Sequence, residues 1–143
     1  MRVFDKNKIT DIFFDLDHTL WDFEKNSELT FEKIFMLLKI KISLSDFLRI
    51  YSPINHKFWK LYRDNKISRN QLRFDRLKLT FVELNIKIDD DMIIEISEMY
   101  LKYLSDFTLL HKGAFDLLDF LKKKYNLHII SNGFEDVQNR KIK

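Results

Sequence analysis

Two aspartates near the start of the chain have the spacing and the setting of a catalytic pair. Asp15 and Asp17 follow the apolar run at positions 12–14, and Thr19 adds a hydroxyl two residues further on. Alternate residues of a strand face the same side, so both carboxylates can face one small site if the backbone stays near-extended. Like charges this close repel each other, and a cation or a shared proton is needed to hold them together.

The apolar run before Asp15 has the composition of a buried strand in a parallel sheet. Its residues are β-branched and aromatic, and strands covered on both faces read as continuous apolar runs. Open α/β sheets bind ligands at the carboxyl ends of their strands. The pattern therefore predicts a site at this strand end, although an Asp-x-Asp sequence by itself is more typical of a helix cap or a turn.

A second polar segment follows another predicted strand, far along the chain. Residues 127–130 are predicted to form this strand, with His128 in the core, and Ser131, Asn132 and Gly133 come directly after it. Taken alone, the segment is typical of a turn with a helix cap, because Asn-Gly is common in turns. Its pairing with the two aspartates favours a site.

The chain between these two segments is predicted to be helical. Apolar residues recur at the helical period between residues 22 and 106, which predicts a series of helices with short connections. Ser68 and Gln71 form a capping-box pattern, and Ser52 with Pro53 predicts the start of another helix. The later chain shows a helix, a strand and the beginning of a further helix, which is the order of an α/β unit.

The two polar segments together resemble the haloacid dehalogenase superfamily, whose first motif is an apolar strand followed by Asp-x-Asp-x-Thr or Val. Here residues 15–20 read Asp-Leu-Asp-His-Thr-Leu. The resemblance also extends to other parts of the sequence: Trp21-Asp22-Phe23, Ser131-Asn132-Gly133-Phe134 and Val137-Gln138. These flanking residues look most like the small pyrimidine 5′-nucleotidase branch, which consists of nucleoside monophosphate phosphatases.

The resemblance implies an α/β fold class with a partial Rossmann-like core and an inserted all-helical cap of the C1 type. Residues 1–22 and 109–143 would form the core, and residues 23–108 the cap over the active site. The family's lysine motif and acidic pair are missing, since Lys141 and Lys143 follow the second motif too closely to be assigned as that lysine. The chain is therefore expected to be a C-terminally truncated member or a fragment.

The implied activity is Mg²⁺-dependent hydrolysis of a small-molecule phosphomonoester, a nucleoside 5′-monophosphate. Asp15 is implied as the nucleophile that forms an aspartyl-phosphate, and Asp17 as the general acid and base. The implied magnesium ligands are the Asp15 carboxylate and the Asp17 backbone carbonyl. The implied phosphate-binding residues are Thr19, Ser131, Asn132 and Gly133.

Composition limits the other classes of function. The chain of 143 residues is 45% hydrophobic and 33% charged, with a net charge of +3 and no cysteine. Interleaved charges do not predict a nucleic-acid face, and no apolar run is long enough to predict a membrane span. The absence of cysteine and of a secretory signal pattern fits a cytoplasmic protein. The oligomeric state is not predicted.

Four other interpretations are consistent with the same residues. The chain could be a different phosphatase of the superfamily or a sugar-phosphate mutase, since both use the first motif. It could also be an inactive remnant or a helical binding module, because the missing motifs carry charge that the reaction needs. Dehalogenation is disfavoured, because cleavage of a carbon–halogen bond needs no acid for the leaving group.

Overall fold

The computed structural model describes residues 8–142, so the ends of the predicted core, residues 1–7 and 143, lie outside the described part. The chain divides into two compact units, Met1–Asn26 with Thr108–Lys143, and Ser27–Phe107. None of the described helices combines the length and the apolar character that a membrane span needs. The elements, in chain order, are β1 (Asp11–Asp15), α1 (Phe23–Leu37), α2 (Leu44–Arg63), α3 (Arg69–Glu83), α4 (Asp90–Tyr103), a 3₁₀ turn (Leu104–Asp106), α5 (Ala114–Leu121), β2 (Asn126–Ile130) and α6 (Glu135–Lys141).

The discontinuous unit is built around one pair of parallel strands. β1 and β2 are hydrogen-bonded in parallel, and Asp15 at the end of β1 is opposite Ile130 at the end of β2. Ser131 is the next residue after Ile130, so both polar segments begin at the same edge of the sheet. Helix α5 precedes β2 and α6 follows it. The predicted α/β class is confirmed.

The strands are not buried, contrary to the sequence-based prediction. Phe13 in β1 is 60% exposed and Ile130 in β2 is 59% exposed. His128 is not a core residue either: its Nε2 lies 2.7 Å from Asp11 Oδ1, and its ring stacks on Phe13 with centroids 4.6 Å apart. An apolar run is buried only where other layers cover it, and among residues 8–142 the sheet has two strands.

The second unit is helical throughout its regular elements and has an aromatic core. Phe31 of α1 lies at its centre, with its ring centroid 4.8 Å from those of Phe47, Tyr51 and Tyr100. These four side chains come from three helices, so the rings join the helices into one core. The capping box predicted at the start of α3 is present, with Ser68 and Gln71 each accepting from the other's backbone N–H.

Helix α2 is one continuous helix, so the prediction of a new helix start at Ser52 is wrong. Its N-cap is Ser43, whose side chain accepts from the backbone N–H of Asp46 at 3.3 Å. Pro53 lies inside the helix, where proline removes one backbone hydrogen bond. Phe47, Tyr51 and Asn55 are buried on the same side of the helix, and packing along this side keeps the helix continuous across the proline.

The interior of the helical unit contains a buried cation. The Nη1 of Arg76 donates to Asn55 Oδ1 at 2.7 Å, and its guanidinium carbon lies 5.7 Å and 5.3 Å from the ring centroids of Tyr51 and Tyr100. The Tyr100 hydroxyl is 2.9 Å from Ser27 Oγ, and burial raises the pKa of Tyr100 well above its ordinary value. Among the described residues, aromatic faces and an amide surround this charge in place of a carboxylate.

Candidate active site

A compact turn after β1 holds Asp17. The backbone N–H groups of Leu20 and Trp21 both donate to the Leu16 carbonyl, at 3.0 Å and 2.9 Å, and the N–H of His18 donates to the Trp21 carbonyl at 3.0 Å. Leu16, Leu20 and Trp21 are buried, which anchors the turn, while His18 takes the left-handed conformation with φ 66°. Asp17 therefore lies on an ordered turn and not on a free loop.

Asp15 is exposed at the end of β1, and Thr19 holds one of its oxygens. The Thr19 hydroxyl donates to Asp15 Oδ2 at 3.1 Å. A hydroxyl in this position orients the carboxylate, which is a different task from the phosphate binding predicted for it. The phosphate-binding role of Thr19 stays a prediction.

Helix α6 supplies two donors to the Asp17 carboxylate. Lys141 Nζ lies 2.6 Å from Asp17 Oδ1, and Gln138 Nε2 lies 2.8 Å from Oδ2. The same Gln138 nitrogen also donates to Ser131 Oγ. Gln138 therefore connects the first aspartate motif to the serine at the end of β2.

The ammonium group of Lys141 is buried against aromatic rings. Its side chain is 1% exposed, and Nζ lies 3.9 Å from the Trp21 ring centroid and 5.5 Å from that of Phe23. Burial lowers the pKa of Lys141, and the neighbouring Asp17 charge opposes this shift. Spacing along the sequence argued against Lys141 as a site residue, but α6 follows β2 directly and turns this side chain towards Asp17.

Gly133 and Asn132 differ in what they contribute to the geometry. A Cβ atom on Gly133 would lie 2.5 Å from Gln138 Nε2 and 2.6 Å from its Cδ, so glycine makes room for the Gln138 side chain. The Gly133 N–H donates to Ser131 Oγ at 3.2 Å. Asn132 is exposed and, among the described residues, is not hydrogen-bonded to the other predicted site residues. Its role stays a prediction.

Asn26 is a structural residue beside the site that sequence reasoning missed. Its fully buried side chain donates to the carbonyls of Asp22 and Leu109 at 2.7 Å and 2.8 Å and accepts from the Leu109 N–H at 3.0 Å. Asp22 caps α1 by accepting from the Lys25 N–H at 3.1 Å. Asn26 thus joins the two separate chain segments of this unit. A lone asparagine in a helix has no sequence signal for that task.

The site offers only a small number of oxygen donors, and oxygen donors suit a hard cation such as Mg²⁺. Within residues 8–142 no three His, Cys, Asp or Glu side chains cluster as a metal site. Both Asp17 side-chain oxygens are engaged by α6, which leaves the Asp15 carboxylate and the Asp17 backbone carbonyl as the candidate ligands. Mg²⁺ commonly uses one or two protein carboxylates and completes its octahedron with water and substrate phosphate. The residues present therefore fit Mg²⁺.

Comparison with known proteins gives three relatives of similar identity. The chain is 25% identical over 132 residues to YfnB of Bacillus subtilis, a protein assigned to the HAD-hydrolases, covering 92% of this chain and 54% of YfnB. It is 29% identical over 134 residues to the pyrimidine 5′-nucleotidase PynA of Streptococcus pneumoniae, with shares of 92% and 54%. It is 26% identical over 127 residues to the pyrimidine 5′-nucleotidase YjjG of Escherichia coli, with shares of 89% and 53%. No family profile matches the sequence.

A solved structure agrees with the sequence comparisons. The crystal structure of YfnB bound to magnesium superimposes with a TM-score of 0.80 at 25% identity, covering 94% of this chain and 57% of that one. The parallel strand pair, the aspartate motif and the helical insert, together with these likenesses, make the chain similar to haloacid dehalogenase-like hydrolases in sequence and in fold. Its relatives include the pyrimidine 5′-nucleotidase branch, so the predicted resemblance is confirmed. The chain spans about half the length of the curated relatives it matches.

Proposed function

We propose that this chain provides the nucleophile and the acid–base group of a Mg²⁺-dependent phosphomonoesterase that acts on nucleoside 5′-monophosphates. The observation that carries the proposal is the linked set at one sheet edge, in which Thr19 holds Asp15 while Gln138 joins Asp17 to Ser131. Two relatives are named as pyrimidine 5′-nucleotidases, which supports the substrate class. The absence of cysteine fits a cytoplasmic setting.

The proposed reaction has two displacements at phosphorus. An oxygen of Asp15 attacks the phosphate ester, the bond between phosphorus and the ester oxygen breaks, and Asp17, protonated and with one of its α6 contacts released, gives its proton to the departing alkoxide. Water then attacks the aspartyl-phosphate, Asp17 takes a proton from it, and inorganic phosphate leaves with Asp15 regenerated. Ser131 would hold a phosphate oxygen, and bound Mg²⁺ would neutralise charge on the phosphate and the Asp15 carboxylate.

Substitution of the nucleophile tests this proposal. The 143-residue chain, assayed with Mg²⁺, should release phosphate from pyrimidine nucleoside monophosphates, and Asp15→Asn should reduce the rate to background because the attacking oxygen is lost. Asp116→Asn is the matched control, since it removes an exposed carboxylate from the first turn of α5. A folded chain that releases no phosphate with Mg²⁺ would favour the inactive remnant, and preference for sugar phosphates would favour another branch.

Trapping of the intermediate tests the two-step chemistry separately. In Asp17→Asn the second displacement loses its base, so a fast-leaving phosphomonoester such as 4-nitrophenyl phosphate should leave a phosphate adduct on Asp15. Intact-mass measurement followed by peptide mapping detects this adduct, and the double variant with Asp15→Asn should lack it. Turnover without any adduct on Asp15 under these conditions contradicts a covalent mechanism.

A further inference from the structure

Helix α6 presents two polar side chains to the site from a single turn. Gln138 and Lys141 are three residues apart, which places them on the same face of a helix. Gln138 is buried, and its one amide nitrogen contacts both Asp17 and Ser131. Lys141 contacts the other Asp17 oxygen. The two donors therefore restrain the Asp17 carboxylate at both oxygens.

This arrangement is costly for a residue pair that serves only to pack α6. The Lys141 side chain is almost fully removed from water while its partner Asp17 is 22% exposed, and burying an ammonium is unfavourable unless close partners compensate for it. The Trp21 face at 3.9 Å supplies part of that compensation. Apolar packing of the helix is already provided by Val137, which is buried next to Gln138.

We infer that Gln138 and Lys141 are positioning residues that fix Asp17 in one orientation and set its placement relative to Ser131. Neither residue needs to touch the substrate, because each acts through the carboxylate or hydroxyl that it holds. The placement of the acid–base group would then depend on α6 as well as on the two strand ends. The catalytic part of this inference rests on the proposed function, whereas the geometric part does not.

The kinetic test removes each donor without removing volume. Gln138→Met and Lys141→Met should each lower kcat about 10–100-fold, in the range seen when groups that orient catalytic ligands are removed. KM should change little in Lys141→Met, because Ser131 keeps its contact with Gln138, and should rise in Gln138→Met, because the proposed phosphate-binding Ser131 loses that contact. Lys141→Arg should recover most of the rate, since it restores a cation at the carboxylate. Asn139→Ala on the exposed side of α6 and Lys112→Met, which removes an exposed lysine, should behave like the parent.

A second readout does not depend on activity. In a Trp59→Phe background Trp21 is the only remaining tryptophan, and removal of the ammonium over its ring should change its emission in Lys141→Met but not in Lys112→Met. Equal emission from these two variants overturns the placement of the Lys141 ammonium over the Trp21 ring, and an emission change without any loss of kcat overturns the positioning role.

If Lys141→Met does not fold, the kinetics of Gln138→Met decide whether α6 has the positioning role. If the parent hydrolyses no phosphomonoester but the emission changes, the proposed function fails and the geometry stands.

Discussion

Gly133 leaves room for the side chain of Gln138, which contacts both Asp17 and Ser131. Its backbone does not adopt the left-handed conformation that favours glycine, whereas Gly113 does, with φ 84°. The constraint at Gly133 is steric, because a Cβ there would collide with the end of Gln138, which is held by Asp17 and Ser131. Two glycines of one chain thus have different physical reasons to be glycine.

Alanine substitution should separate these reasons. Gly133→Ala should displace Gln138 and lower kcat about 10–100-fold, the range for loss of an orienting group, with a small effect on stability. Gly113→Ala should lower the free energy of unfolding by about 1–2 kcal/mol, because alanine is strained in the left-handed region, and should leave kcat unchanged. Urea unfolding and steady-state kinetics of both variants check this. A Gly133→Ala enzyme with parental kcat would show that the site does not need Gln138 in place.

In helix α2, packing overrides a local sequence signal for the start of a new helix. A serine followed by a proline is a good helix start, because the serine can cap and the proline lacks the N–H that a first turn leaves unpaired. The same dipeptide lies inside α2, since Phe47 and Tyr51 before it and Asn55 after it are buried on one side. Proline in a helix interior costs about 3 kcal/mol, and burial of large side chains offsets a cost of that size.

Two serine substitutions distinguish one helix from two. Ser43→Ala should destabilise the protein by about 1 kcal/mol, because it removes the side chain that accepts from the Asp46 N–H. Ser52→Ala should be neutral or stabilise by a few tenths of a kcal/mol, since alanine is the better residue in a helix interior. Denaturant unfolding followed by circular dichroism measures both. The reverse order of effects would restore the predicted helix start at Ser52.

At the scale of the whole molecule, the helical unit keeps a polar group in its interior that ties stability to pH. The Tyr100 hydroxyl lies in the core close to Ser27 Oγ, and burial raises the pKa of Tyr100 in the folded protein. In the unfolded chain this phenol ionises near its ordinary pKa of about 10. The folded state therefore binds the phenol proton more tightly than the unfolded state does. The resulting contribution of Tyr100 to the free energy of unfolding is complete below about pH 10 and is lost as the pH rises towards the pKa of Tyr100 in the folded protein.

This linkage predicts alkaline destabilisation that depends on one tyrosine. Above about pH 10 the free energy of unfolding should fall with a contribution from Tyr100 that approaches 1.4 kcal/mol per pH unit, the slope for one proton. Tyr100→Phe should flatten this fall, at a cost of about 1 kcal/mol at neutral pH for the lost hydrogen bond. Tyr103→Phe, at the half-buried end of the same helix, is the control. Equal alkaline slopes for Tyr100→Phe and the parent would contradict the linkage.

Local sequence patterns were sufficient to predict the strands and most of the helices, whose formation depends on residues close together in the sequence. The apolar run before Asp15, the strand before Ser131 and the periodic apolar residues of the helices are properties of short segments, because strand and helix periods are set by backbone geometry. The parallel pairing that brings Asp15 and Ser131 to one edge followed from the α/β order of elements. The assignment of catalytic roles to these residues stays a prediction.

Only the tertiary structure decided which residues complete the site and which surfaces are buried. Gln138 and Lys141 reach Asp17 from α6, and Asn26 is hydrogen-bonded to Leu109, which lies 83 residues further along the sequence. The orientation of a helix relative to distant segments is not encoded in any local sequence pattern. Hydrogen bonds between those segments depend on that orientation. The exposed strands have the same cause, since an apolar residue is buried only when another part of the molecule packs over it.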